Sequence, residues 1–225
     1  MTINKSKGNM YPDKDTWNGM YGTCPHGCLY CYNSKWWKKW GKMRLNEKVL
    51  KDNLGSGRNL FVGSSCDMFA EEIPDEWIKR VLTHLLAYPD NTYLLQTKNP
   101  RKMYWFYRHS WMGNNYIYGT TMESNRFYPE FSNAPFVDER KRWMVLFKGR
   151  KMVSIEPIMQ FDLKQFVEII KEINPEYVSI GANSNVKVKL PEPSPEKIEA
   201  LIKELRKFTQ IKLKANLKRI GEILP

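Results

Sequence analysis

The chain has 225 residues, of which 42% are hydrophobic, enough to bury a substantial core within one α/β domain. No apolar run approaches the roughly 18 residues needed to span a bilayer, and the polar start MTINKSKGNM lacks a secretory h-region; a membrane span is excluded and a cytoplasmic protein expected. A net charge of +12, with 8 Trp, 12 Tyr and 10 Phe interleaved, points to a polyanionic partner such as nucleic acid, or else to a basic, soluble surface.

In chain order, the first strand lies before or within a cysteine-rich segment at residues 22–33. A strand follows at Asn59 to Ser65, then a helix from Pro74 to Ala87 with proline and acids in its first turn and Trp77, Ile78, Val81, Leu82 and Leu85 on its apolar face. Strand Thr92 to Thr97, helix Pro100 to Tyr107 and strand Tyr116 to Thr121 come next. A helix near Asp138 to Phe147 leads to strand Lys151 to Ile155, helix Leu163 to Ile173 and strand Tyr177 to Ile180. LPEPSPEK reads as a proline-rich loop before a last helix, Pro195 to Phe208. The basic tail at about 209–225 is an extension that covers a barrel edge or touches a polyanion.

About six βα units joined by right-handed crossovers curl into a partial (βα)6 TIM-like barrel with parallel strands. Its working face is set by the C-terminal strand ends: Ser64, Ser65, Cys66 and Asp67; Thr97 and Lys98; Thr120, Thr121, Glu123 and Ser124; Glu156; and Gly181 to Asn183.

Cys24, Cys28 and Cys31 form a CxxxCxxC loop. In a reducing compartment three thiols so close together suit metal ligation rather than disulfides. Three thiolates can hold three irons of a 4Fe-4S cluster, with Gly27 and Pro25 shaping a tight wrap, and the fourth iron is left open to a substrate or cofactor. The alternatives are a zinc site completed by His26 or Cys66, and a simple electron-transfer cluster.

The loop resembles that of the radical S-adenosylmethionine (SAM) superfamily. NGMYGTCPHGCLYCYN, GSSCDMF, LLQTKNPRKM, GTTMESNR, VSIEPIMQFD and SIGANS together resemble its spore photoproduct lyase-like branch of bacterial and phage proteins. The resemblance implies a radical SAM core over residues 1–225, carrying a single cluster on Cys24, Cys28 and Cys31. It further implies SAM chelating the free iron, reductive SAM cleavage, and hydrogen abstraction by a 5′-deoxyadenosyl radical. An external reductant such as flavodoxin or ferredoxin would supply the electron.

By position, Lys98 resembles the lysine that contacts the SAM carboxylate, with a solvated surface lysine as the alternative. Thr121 resembles a hydroxyl-bearing strand-end residue beside the cofactor. Glu123 and Glu156 are expected to bind the ribose hydroxyls or ammonium of SAM, with general bases or salt bridges in the barrel mouth as the alternatives. Tyr30 is expected to pack around cluster and adenine; Ser64, Ser65, Cys66, Asp67, Thr120 and Asn183 complete the expected cofactor contacts. Cys66 is a candidate hydrogen-atom donor, although Ser64 occupies the register where the branch's cysteine is expected; the alternative is a small buried residue.

Trp36, Trp37, Lys38 and Lys39 interleave indoles with ammonium groups, as a single-strand binder does. The alternative is an amphipathic helix packed on the barrel. Arg101 and Arg126 extend a basic rim. The expected activity is hydrogen abstraction from a nucleobase or nucleotide in DNA or RNA, for repair or modification. Its rivals are radical chemistry on a peptide or small metabolite, and a non-enzymatic metal-binding nucleic-acid module. Oligomeric state leaves no mark on the sequence.

Overall fold

The computed structural model describes residue 11 and residues 13–221. The polar start and the last four residues of the tail lie outside the described residues.

Seven parallel strands form one curved sheet, a half-barrel: β1 (Asp15–Trp17), β4 (Asn59–Val62), β5 (Thr92–Thr97), β6 (Tyr116–Thr121), β7 (Arg150–Ile155), β8 (Tyr177–Ile180) and β9 (Gln210–Leu213). They are neighbours in that order, so each crossover advances one place along the sheet. A separate antiparallel ribbon of β2 (Met20–Tyr21) and β3 (Arg44–Leu45) brackets the cysteine segment, with Met20 opposite Leu45. The helices are α1 (Trp37–Trp40), α2 (Asp75–Leu86), α3 (Pro100–Arg108), α4 (Val137–Met144), α5 (Leu163–Ile173) and α6 (Pro195–Leu205).

The sheet therefore has one strand more than the six expected, because the tail contributes β9, which pairs with β8 from Tyr177–Gln210 to Ile180–Leu213. Its sequence QIKL alternates polar and apolar side chains at a sheet edge, and four such residues carry little apolar signal.

Side-chain alternation divides the core in two. Tyr93 and Leu95 of β5 and Val153 and Ile155 of β7 face the helices, where they meet Ile78, Val81, Leu82 and Leu85 of α2 and Phe166, Ile169, Ile170 and Ile173 of α5. Burial of each such side chain contributes roughly 1.5–3 kcal/mol. Leu94, Ile117, Met152 and Tyr177 face inward and enclose Tyr11, whose ring meets Phe61 edge-on at 5.1 Å. Tyr11 thus fills the lower half-barrel, and the next inward positions toward the strand ends include the polar Gln96, Ser154 and Ser179.

Helix ends obey local chemistry. The Ser194 hydroxyl accepts from Lys197 N ahead of Pro195, and Asn174 closes α5 at φ 53° just before Pro175. Because all seven strands run parallel, every β-to-α connection lies at the same end of the sheet. Among the described residues, no helix is long and apolar enough to cross a membrane.

Candidate functional site

The cysteine loop sits over the C-terminal strand ends, held from several sides. Thr23 N donates to Gly41 O at 2.8 Å, next to the β2–β3 ribbon. Leu29 N donates to Phe131 O (2.9 Å) and Asn133 N to His26 O (2.9 Å), so the loop after β6 runs beside it. Asn185 Nδ2, beyond β8, reaches Leu29 O at 3.2 Å. Gly22 adopts φ +136°, and a Cβ there would lie 2.6 Å from Lys42 O; only glycine lets the returning chain approach so closely.

Asp67 fastens the loop to the sheet. Its Oδ2 lies 2.8 Å from His26 Nε2 and accepts from the Thr97 hydroxyl and Lys98 N, each at 2.8 Å, while Oδ1 accepts from Phe69 N at 2.9 Å. Burial would raise its carboxyl, but His26 and the surrounding donors hold it below the ordinary value. Each member of this knot keeps the residue between Cys24 and Cys28 in register with the end of β5.

Beside Cys28 lies a buried charge cluster. The Lys98 ammonium is 3.6 Å from Cys28 Sγ and 2.8 Å from Tyr30 Oη, and it also donates to Glu123 Oε1. Tyr30 O–H itself donates to Glu123 Oε1 at 2.7 Å. Glu123 Oε2 accepts from Arg140 Nη1 at 2.8 Å, and the same nitrogen reaches Thr121 O at 2.8 Å while Arg140 Nε donates to Pro135 O at 2.6 Å. Burial raises Glu123, yet Arg140 and Lys98 outweigh it and hold its carboxyl far below the carboxylate range. Burial likewise opposes the Lys98 charge, but Cys28 and Glu123 overcome it and the ammonium is held well above its ordinary value. An ammonium has three donors, and all three are directed at acceptors here.

The two carboxylates expected to bind SAM are therefore both ion-paired. Glu156 Oε2 lies 2.6 Å from Lys214 Nζ, and Oε1 accepts from Asn216 Nδ2 at 3.0 Å. Thr121 faces inward and accepts from Gln96 Nε2 at 2.9 Å, whereas Thr120, on the helix-facing side, donates to Thr97 O at 2.8 Å. Ser64 and Ser65 gather on Asn18, with Ser65 N 3.0 Å from Asn18 Oδ1. Asn183 staples its own loop through Asn185 and Val188. Cys66 is buried in the main core and directs its thiol at Met20 O, 3.4 Å away. Burial pushes that thiol up to about 12.

Trp36, Trp37, Lys38 and Lys39 span a 3-10 turn and the single turn α1, too short for a packed amphipathic helix. Trp36 is exposed, with Lys35 and Lys39 ammonium groups 5.5 and 5.9 Å from its ring. These residues lie apart from Arg101 and Arg126, which both line a cleft of about 710 Å³ between the loop after β6 and α4. Arg101 pairs with Glu71 at 2.9 Å, and Arg126 is bidentate to Asp162 at 3.0 and 2.6 Å.

Arg140, Asn18 and Lys214 were not expected to shape the site, and His26 was expected only as a ligand of the alternative zinc site. Arg140 had a legible signal: it lies one turn before Met144 on the buried stripe of α4, where a charge needs a partner. Asn18 follows a three-residue strand too short to announce itself.

Cys24, Cys28 and Cys31 offer three sulfurs from one loop, with an ammonium beside the central one. Burial raises the thiols of Cys24 and Cys31, and Cys28 contributes to both shifts, so the three groups are close enough to interact. A metal displaces the protons of the thiols that coordinate it. Among the described residues no three acid, cysteine or histidine groups close around a single ion. In a cubane each thiolate takes its own iron, so the sulfurs need not converge on one point, and the donor set fits such a cluster.

The family model described as "Protein of unknown function (DUF5131)" matches residues 10–189. No curated protein matches the sequence. Among solved structures, a cysteine-to-alanine variant of spore photoproduct lyase superimposes with a TM-score of 0.65 at 11% identity, over 94% of this chain and 78% of that one. A cysteine-to-serine variant gives 0.63 at 10% identity, over 95% and 78%. A further double variant, with bound AdoMet and dinucleoside spore photoproduct, gives 0.58 at 10% identity over 92% of this chain, which spans 64% of that structure's length. At such identity the likeness establishes the fold: the partial TIM barrel of that lyase.

Proposed function

The chain belongs to the DUF5131 family of proteins of unknown function, and we propose that it is a single-domain radical SAM enzyme acting on a nucleobase or nucleotide. One observation carries this reading: three cysteines on one loop, seated over the C-terminal strand ends of a parallel half-barrel, with the Lys98 ammonium 3.6 Å from Cys28 Sγ. Three solved structures of the same fold contain a dinucleoside spore photoproduct, one of them with AdoMet, which supports a nucleotide substrate here.

Cys24, Cys28 and Cys31 are the ligands proposed for a 4Fe-4S cluster. A cluster held by these three thiolates and reduced by a flavodoxin- or ferredoxin-type donor would supply the electron for reductive cleavage of SAM to methionine and a 5′-deoxyadenosyl radical. Lys98 is the cation assigned to the SAM carboxylate, and engaging it requires one of its three present acceptors to give way. Glu123, clamped by Arg140 and held ionised, positions that ammonium rather than serving as a general base. Asp67 and His26 keep the loop in register, and Tyr30 closes the cofactor side of the cleft.

Anaerobic reconstitution with iron and sulfide, followed by dithionite and SAM, tests the reading. The expected product is 5′-deoxyadenosine, detected by chromatography, and it should disappear in Cys24→Ala, Cys28→Ala and Cys31→Ala. A folded wild-type protein that takes up zinc, forms no iron chromophore and yields no 5′-deoxyadenosine would overturn it.

A further inference from the structure

The cleft beside α4 carries features that the charge cluster at its inner end does not explain. Phe127 and Phe136 are 61% and 58% exposed, far more than the apolar residues of either core, and they meet edge-to-face at 4.5 Å. Both belong to the connection from β6 to α4, Phe127 ahead of the 3-10 turn Pro129–Phe131 and Phe136 immediately before α4, so that connection folds back on itself to bring the two rings together where they line the cavity. An isolated exposed phenylalanine needs no explanation, but a pair facing a cleft is a ring-binding surface.

Around the rings stand guanidinium groups from three elements: Arg101 of α3, Arg126 of the loop after β6, and Arg142 of α4. Asp162 occupies Nε and Nη2 of Arg126, and Glu71 a single nitrogen of Arg101, which leaves further N–H groups on both. Asp138 and Glu139 also line the cleft, so its charge is balanced rather than uniformly basic. Binding there depends on placing an anionic group at the arginines while a ring occupies the aromatic pair. A planar guanidinium suits a phosphate in that role.

The inner end is formed by Tyr30, Glu123 and Ser132, and the Ser132 hydroxyl lies 3.0 Å from Cys28 Sγ. The cleft thus runs from solvent to the cysteine loop. Its volume of about 710 Å³ suits one or two nucleotide units and is too small for a duplex. Trp36, Trp37, Lys38 and Lys39 do not line it.

We infer that this cleft is a nucleotide-binding site that receives one unpaired base against Phe127 and Phe136, with its phosphate at Arg126 and Arg142. The catalytic meaning of the site rests on the radical-enzyme reading above; the binding does not. The same chemistry is presented by a free mononucleotide and by an unpaired residue of a strand, and a duplex would have to extrude its base.

The test uses the full chain without cluster or SAM, so its failure is separable from a failure of SAM cleavage by the reconstituted protein. Anisotropy of a labelled, mixed-sequence single-stranded oligonucleotide is titrated against wild type, with the duplex of the same sequence and the four nucleoside 5′-monophosphates as competitors. Saturable binding, with the duplex the weaker competitor, is expected. Displacement by mononucleotides at concentrations similar to the strand's identifies the free nucleotide as the natural source; displacement by strands alone identifies the strand.

Phe127→Ala/Phe136→Ala should weaken binding roughly tenfold or more, since each stacked ring contributes appreciably. Phe127→Leu/Phe136→Leu, which keeps apolar bulk at both positions, should weaken it as well. Thermal melts of both variants verify the fold. Arg126→Ala should lower the salt slope by about one. Lys38→Ala/Lys39→Ala, on α1 outside the cleft, should weaken strand binding less than the phenylalanine pair does, and only at low salt, because exposed lysines contribute screened, base-independent attraction. No saturable binding by wild type, affinity unchanged in the folded phenylalanine variants, or affinity abolished by the lysine pair alone would overturn the assignment.

Discussion

Arg140→Met probes the buried charge cluster most directly. The guanidinium is 4% exposed and makes three bonds, to Glu123 Oε2, Thr121 O and Pro135 O. Methionine keeps much of the apolar stem but leaves a carboxylate, itself 4% exposed, with Lys98 and Tyr30 as its remaining partners. Removing one member of a buried ion pair costs about 3–5 kcal/mol, because the remaining charge stays desolvated. The two carbonyls add a smaller penalty, limited by whatever water can reach them. For a domain of this size that corresponds to a melting temperature lower by roughly 6–20 °C. Urea denaturation of wild type, Arg140→Met, Glu123→Gln and the double variant completes a cycle. The coupling should be roughly 1–3 kcal/mol, with the double variant less destabilised than the sum of the singles, because Glu123→Gln removes the carboxylate that Arg140→Met strands. A loss below about 1 kcal/mol for Arg140→Met, or additivity within about 0.5 kcal/mol, would refute the picture of a tightly interdependent cluster.

Acid should act through the same group. The folded carboxyl of Glu123 lies far below its unfolded value near about 4.3, so its contribution is complete above that pH and is lost as pH falls beneath it. The urea midpoints of wild type and Glu123→Gln should therefore converge below about pH 4; a gap that stays constant from about pH 5 to 3 would contradict this. Gly22→Ala should destabilise the chain and reduce iron loading, since its Cβ meets Lys42 O and Met43 Cα at 2.6 Å, whereas Gly57→Ala has nothing within 4 Å and should cost only its φ strain, roughly 1–3 kcal/mol. Cys66→Ala should retain cluster loading and 5′-deoxyadenosine formation, because its thiol is directed at Met20 O within the core. Loss of the product in a folded, iron-loaded Cys66→Ala protein would move that residue into the cofactor site.

Much of the fold was legible where burial is periodic. Strands Thr92–Thr97, Tyr116–Thr121 and Tyr177–Ile180 and helix Leu163–Ile173 have the bounds expected from hydrophobic pattern and turn chemistry. β1 and β9 were harder, because three or four residues at a sheet edge owe their conformation to neighbouring strands rather than to their own composition. The candidate site divides along a similar line. Topology alone brings Lys98, Glu123 and Glu156 to one end of the sheet. What it could not assign was their partners: Arg140 reaches Glu123 from the following helix, and Lys214 reaches Glu156 from just beyond the seventh strand. Both carboxylates are ion-paired. Phe127 and Phe136 gave no signal at all, since an apolar residue bound for the surface reads in sequence like one bound for the core.

The distribution of charge separates attraction from recognition. Within the mouth, positive groups are largely balanced: Lys98 and Arg140 by Glu123, and Lys214 by Glu156. The net charge of +12 therefore does not originate in the barrel mouth. Residues 16–46 carry Lys35, Lys38, Lys39, Lys42 and Arg44 without one acid, and among the described residues none of the five forms an ion pair. Exposed charge of one sign acts over about a Debye length and carries little information about a particular base. A cleft with opposed charges and a ring pair does the reverse, favouring ligands whose anionic group and planar ring are spaced to fit. The tryptophan–lysine segment, the more conspicuous feature in the sequence, is thus suited to drawing a polyanion near, and the cleft after β6 to choosing which nucleotide enters.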